Sequence, residues 1–333
     1  MSAVPVGALL LVLAGVLALQ LLPQALAGRA TLTRSPRLAV VLWHAVLLGG
    51  SGSVVLGAFA LAVPDPRVGH GLGDLFTVCD RSLRAAYGDA QAGPLPLAGL
   101  LVAVGTTARL ARGTQLALRR CRGERRTVRH LLSLLAAPAP DVAPGVLRVG
   151  SPTPSVYCLP GPTPFASLLR RRRGCIVLAG EVSERLQEEE LRAVLAHEHA
   201  HLDQRHHVAL LLSDALALAL PLAGVRLARA EVARLLEMAA DDAAVRLCDP
   251  RTLAAALLRV AAPGRAGPAG AFAAADTAVV DRVSRLLAPS PALSRPGCAS
   301  LALAAAVALL LPLAVAAAPG LALASGRVCD LVG

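Results

Sequence analysis

Residues 4–27 contain no charged side chain, and that single run limits the fold more than anything else in the chain. About twenty apolar residues, rising 1.5 Å each, cross the roughly 30 Å hydrocarbon core of a bilayer. In lipid every backbone N–H and C=O must be paired within the segment, so such a run is a helix. Residues 38–63 and 299–318 repeat the pattern, and the slightly shorter 95–110 does so up to Arg109, which predicts about four transmembrane helices. A hydrophobic content of 55% with mean hydropathy +0.61 agrees with an integral membrane chain. Ala25-Leu26-Ala27 resembles a signal-peptide cleavage site, but no basic residue precedes the run, while Arg29, Arg34 and Arg37 follow it. The expectation is an uncleaved span with its N-terminus outside.

The net charge is +11 and entirely arginine, since the chain has no lysine. Only 2% of residues are aromatic and no nucleic-acid-binding motif is present, so a nucleic-acid partner is not expected. The arginines gather instead beside the spans. Three lie in the loop before residue 38, and Arg109, Arg112, Arg119, Arg120, Arg122, Arg125, Arg126 and Arg129 crowd the exit of the third run. Basic loops stay on the cytoplasmic side, so these segments should face the cytoplasm and both termini the outside. Residues 64–94 mix acids and bases and suit the outer face. Seven cysteines show no C-x-x-C pairing, which argues against a thiolate metal site. Cys79 and Cys329 fall on the same expected side and could pair.

Beyond His130 prolines break the helical pattern, and residues 145–149, 155–159 and 175–178 read as strands of a small hairpin-like sheet. From Glu181 the pattern turns helical, with Glu184, Glu188, Glu189 and Glu190 at the end where a helix dipole favours acids. This helix carries His197-Glu198-x-x-His201. Residues four apart on a helix lie one turn above each other, so the two imidazoles can share one metal ion. Glu198, beside them, can take a proton from water that the metal has acidified. Residues 208–224 are apolar but interrupted by Asp214 and Pro221, which favours a buried or membrane-dipping helix over a fifth span.

A third ligand must come from elsewhere, and two candidates compete. His207 occupies the last position of an H-E-x-x-H-x-x-G-x-x-H spacing, but Gln204 stands where that pattern needs a glycine to turn the chain back. Glu237 lies on a later helix among Leu235, Leu236, Met238, Ala239 and Ala240, where a carboxylate needs a partner. Asp241, one turn on, can hold a ligand histidine by its other ring nitrogen. Glu237 is therefore the expected ligand, ahead of Glu231, Asp242, Asp203 and Asp214.

The run Leu191-Arg192-Ala193-Val194-Leu195-Ala196-His197-Glu198-His199-Ala200-His201, with His206 and Glu237-x-x-x-Asp241 downstream, resembles the HtpX and CAAX-prenyl-protease group of membrane metallopeptidases. Three spans before the motif and one after are similar to the BlaR/MecR-type branch. The resemblance implies one Zn2+ per chain held by His197, His201 and Glu237, Glu198 as general base, and Asp241 and His206 as supports. Ser155 and Tyr157 correspond to a strand that would contact substrate, although Ser155 stands where relatives often have asparagine. The chain lacks the lysine that a penicillin-binding nucleophile of that branch would need.

The sequence thus predicts a mainly α integral membrane protein with a cytoplasmic α+β zincin-like domain. Three transmembrane helices and their loops should occupy 1–112, the metallopeptidase domain 113–297, and a last span with a short outer tail 298–333. Its partners should be a peptide or protein substrate and the lipid bilayer of the cell membrane. A non-catalytic sensor that keeps a structural zinc is the competing reading. The intact Glu198 speaks against it, because a structural site has no need of a base and fills its fourth position with protein.

Overall fold

The computed structural model describes residues 3–62, 94–135, 137–138, 155–159, 167–168, 175–179, 185–261, 269–288 and 291–332. Helix α1 (Ala3–Leu26) leads through the single turn α2 (Ala30–Thr33) into α3 (Pro36–Ala62), and α4 (Pro94–Leu135) follows. Four strands come next: β1 (Ala137–Pro138), β2 (Ser155–Leu159), β3 (Ser167–Leu168) and β4 (Cys175–Ala179). Then α5 (Glu188–Asp203), α6 (His206–Ala219), α7 (Ala223–Ala244), α8 (Pro250–Ala261), α9 (Ala269–Leu287) and α10 (Arg295–Val332) complete the chain. Four helical stretches are long and apolar enough to cross a membrane: Val6–Leu26, Pro36–Ala62, Pro94–Thr127 and Arg295–Ala317. The chain is mostly helical, consistent with a multi-pass membrane protein.

Helix α3 is the axis of the bundle, with α1, α4 and α10 packed around it. Lipid offers no hydrophobic drive between helices, so close approach of small residues has to supply the contact. Gly49 shows this directly, because a Cβ there would collide with the Ala308 carbonyl oxygen of α10. Ser51 and Ser53 return their hydroxyls to the Leu47 and Gly49 carbonyls one turn back, leaving no bare polar group at these positions. His44, midway along the first half of α3, is tied on both sides: Nδ1 lies 2.9 Å from the Val40 carbonyl oxygen, and Nε2 lies 3.0 Å from that of Ala209 and 3.1 Å from Ser213 Oγ. It is a packed residue that fastens α6 to the bundle.

Two expected helices differ in extent. The third span does not stop near 110 but continues as one rod to Leu135, and the last continues past Ala318 to Val332 without a break. Residues 206–219 form a separate 14-residue helix, too short to span, packed on α4 and α7. Gly113 of α4 abuts Ala215 and Ala219, and Arg109 Nε donates to the Ala219 carbonyl at 3.0 Å, covering an orphan acceptor at the end of α6.

The strands form a sheet in the order β1-β2-β4-β3. β2 and β4 are parallel, with Ser155 opposite Cys175 and Leu159 opposite Ala179, so they are not the arms of a hairpin. Fifteen residues separate the two strands, enough for the crossover that a parallel pair needs and a two-residue turn does not give. Residues 145–149, read as a strand from the sequence, and Cys79 lie outside the described residues.

Helix α7 joins the membrane bundle to the rest. At its start Gly224 presses on the Leu19 carbonyl, and its N–H bonds Gln20 Oε1 at 3.3 Å. Val225, Val232, Leu235 and Met238 are buried with Leu19, Trp43 and Leu47 of the bundle. A second core forms where α5, α7, α8 and α9 meet, from Ala193, Ala196, Ala244, Leu253, Ala254 and Leu286. The 22 residues of α7 thus run from one core to the other and rigidly connect them.

Candidate metal centre

Helix α5 starts at Glu188 behind its cap Gln187; Glu181 and Glu184, read as helical from the sequence, lie outside the described residues. The Gln187 N–H bonds Glu190 Oε2 at 2.9 Å, closing a reciprocal capping box. Glu190 is buried and also meets Arg259 of α8 at 3.0 Å. Ala193, Ala196 and Ala200 then line the face turned to the core. Their small size lets α7 come close, and from it Glu237 and Asp241 reach α5.

His197 and His201 are buried, with their Nε2 atoms 3.1 Å apart. Glu237 Oε2 lies 3.4 Å from His197 Nε2, and Oε1 lies 3.5 Å from His201 Nε2. These three residues form a group able to hold a metal ion. A tetrahedral zinc with bonds of 2.0–2.1 Å needs donors about 3.3 Å apart, so the spacing fits.

The proton bookkeeping fits as well. His197 Nδ1 donates to Asp241 Oδ1 at 2.9 Å, which leaves Nε2 as a lone pair in the neutral ring. His206 Nε2 faces Gln204 Oε1 at 3.1 Å and must donate to it, so His206 Nδ1 accepts from His201 Nδ1 at 2.9 Å. His201 Nε2 is thereby a lone pair too. Two lone pairs and a carboxylate pointing at one another repel unless a cation lies between them.

The chain's own charges respond to that crowding. Burial alone would lower the pKa of His197, but hydrogen bonds to Asp241 and Glu237 carry it up to about 9. Burial pushes His201 down to about 3 and His206 to about 4. Burial works against the charge on Glu237, yet the His197 hydrogen bond and the neighbouring cations hold it near 2. Its side chain is still 42% exposed, so solvent screens part of that effect. Glu198 is raised, chiefly by burial.

The two histidines at the end of the motif are sorted by a backbone feature. Helix α5 ends at Asp203, and Arg205 takes the left-handed conformation (φ 54°, ψ 38°). A glycine usually supplies such a turn; here arginine does. The helix therefore does not continue through residue 207 as the missing glycine implied. The chain turns, and the turn delivers His206, whose ring meets that of His201 edge-on at 4.7 Å. His207 is not part of the donor group.

Of the other acids, Glu231, Asp242 and Asp214 are satisfied by Arg234, Arg285 and Arg229. Ser155 and Tyr157 lie on β2, an inner strand: Tyr157 pairs with Val177 on one side and Pro138 on the other. β4 is the strand that packs on α5. Sequence reasoning missed Arg282 of α9, whose guanidinium grips Asp241 at 2.7 and 2.8 Å. A signal was present, since Asp241-Asp242 on an apolar helix calls for two cations and Arg282-x-x-Arg285 presents two on one helix face.

Residues 161–295 match the model of peptidase family M48, a stretch that contains every residue of this group. The match supports that family without singling out the BlaR/MecR-type branch. No curated protein and no solved structure matches the chain.

Proposed function

We propose that the chain is a zinc-dependent membrane endopeptidase that cleaves peptide bonds at the cytoplasmic face. The convergence of His197, His201 and Glu237, with Glu198 in the same motif, carries the reading. The match of residues 161–295 to a peptidase family supports hydrolysis of peptides as the chemistry. Zinc held by His197, His201 and Glu237 would supply Lewis acidity at the scissile carbonyl and acidify water.

The chain's own residues do the rest. Asp241 and His206 fix the tautomers and ring planes of His197 and His201. Glu198, its pKa raised chiefly by burial, is the base: its carboxylate takes the proton of the attacking water and returns it to the leaving amine. Ser155 and Tyr157 on β2 are the candidates for main-chain contact with an extended substrate.

The cytoplasmic address is supported by where the site sits on the bundle. Arg37, in the first turn of α3 at the end of the basic segment, is near enough to His206 to add to the lowering of its pKa, after burial and His197. That segment belongs on the inner side, which puts the N-terminus, and the end of α10, outside. A role in regulatory proteolysis of a cytoplasmic protein follows from the branch resemblance.

The test is Glu198→Gln in the full-length chain. Proteolysis should fall by about 10²–10⁴-fold while one zinc per chain and the melting temperature are retained. Retained proteolysis would sink the assignment, and an unchanged cellular phenotype with loss only in His197→Ala would favour the sensor. Proteomes of cells carrying wild type and Glu198→Gln then identify the substrate.

A further inference from the structure

Arg282 is 11% exposed and reaches both carboxylates of α7 from another helix. Nε bonds Asp241 Oδ2 at 2.8 Å, Nη2 bonds Oδ1 at 2.7 Å, and Nη1 meets Glu237 Oε2 at 3.0 Å. Nη2 also packs 3.5 Å from both ring nitrogens of His197.

Each carboxylate has a rotational freedom that a metal centre cannot tolerate. Asp241 must keep Oδ1 on His197 Nδ1, and the two-point fork removes rotation of its carboxyl plane. Glu237 could offer either oxygen, or both. Arg282 holds Oε2, which faces His197 Nε2 at 3.4 Å, and that fixes the carboxyl plane with Oε1 3.5 Å from His201 Nε2. We infer that Arg282 is a positioning residue of the metal centre: from α9 it sets Asp241 and Glu237 together, so that the Glu237 carboxylate keeps its facing to the two histidines and His197 keeps its metal-facing tautomer. This rests on the metal-site reading given above.

The competing role is plain docking of α9 and neutralisation of a buried acid. The structure contains its own control for that. One turn on, Arg285 joins the same two helices through Asp242 at 2.7 and 2.9 Å without touching any donor of the site. Lysine at 282 separates the roles further, since it keeps the charge opposite Asp241 but, as a point donor, cannot fork across both carboxylates.

The experiment uses full-length protein in lipid nanodiscs, with zinc affinity from chelator competition and the visible spectrum of the cobalt-substituted site. Arg282→Lys and Arg282→Ala should weaken zinc about 10–100-fold and change the cobalt bands, while Arg285→Ala keeps the wild-type spectrum and an affinity within about threefold. Wild-type affinity and spectrum in Arg282→Lys would overturn the inference. So would equal weakening in Arg285→Ala, or failure of both Arg282 variants to fold, since either makes the residue structural. A wild-type chain that binds no zinc would sink the metal-site reading itself, a separate outcome.

Discussion

Metal-depleted protein should release a single proton per zinc taken up, and its affinity should climb about tenfold per pH unit between roughly pH 6 and 8.5. The count follows from the three donors. His197 is raised to about 9, because its bonds to Asp241 and Glu237 outweigh burial, whereas burial holds His201 near 3 and the His197 hydrogen bond and neighbouring cations hold Glu237 near 2. At pH 7 His201 is therefore neutral and Glu237 is ionised, while His197 holds its second ring proton. Zinc must displace it, so apparent affinity at pH 7 lies about 100-fold below its value above pH 9. Two ordinary histidines would behave otherwise, releasing up to two protons at pH 6 and almost none at pH 8. Calorimetry in buffers of different ionisation enthalpy counts the protons, and chelator competition across the same range gives the slope. A flat affinity above pH 7.5, or two protons at pH 6, would refute the argument. Asp241→Asn should reduce the release at pH 7.5, since it removes the hydrogen bond first among those holding His197 up. The same proton stabilises the metal-depleted fold, fully below the unfolded value near 6.5 and with loss as pH rises through about 9.

His206→Ala should weaken zinc about 10–100-fold by freeing the His201 ring, while His207→Ala leaves it within about threefold; isothermal titration at fixed pH separates them. At Arg205 the left-handed backbone predicts the stability order Gly above Arg above Val, with the glycine variant gaining about 0.5–1 kcal/mol, read from melting in detergent. Leu253 is fully buried in the second core, so Leu253→Ala should cost about 2–5 kcal/mol. It should lower zinc content only above its reduced melting temperature.

The spans were legible because they depend on no partner: an uncharged run of sufficient length is a membrane helix whatever surrounds it. The facing of His197 and His201 was legible for a similar reason, since four residues make about one turn of any α-helix. The sheet was not. β2 and β4 were visible as extended runs, but their parallel pairing depends on a crossover that no local pattern encodes. His206 and His207 look alike in the sequence, and a backbone torsion at Arg205 decides between them.

What the sequence determined alone, then, was everything set within a turn or a span: the four apolar helices and the two-histidine face with its glutamate. Tertiary structure decided what completes the site. Glu237 lies 36 residues beyond His201, and Arg282 lies 85 beyond His197. Helical periodicity carries no information over such distances. Those residues meet because small alanines let α5 and α7 approach and because α7 is anchored in the membrane core at its other end. Packing, rather than pattern, brings the carboxylate and its arginine to the histidines.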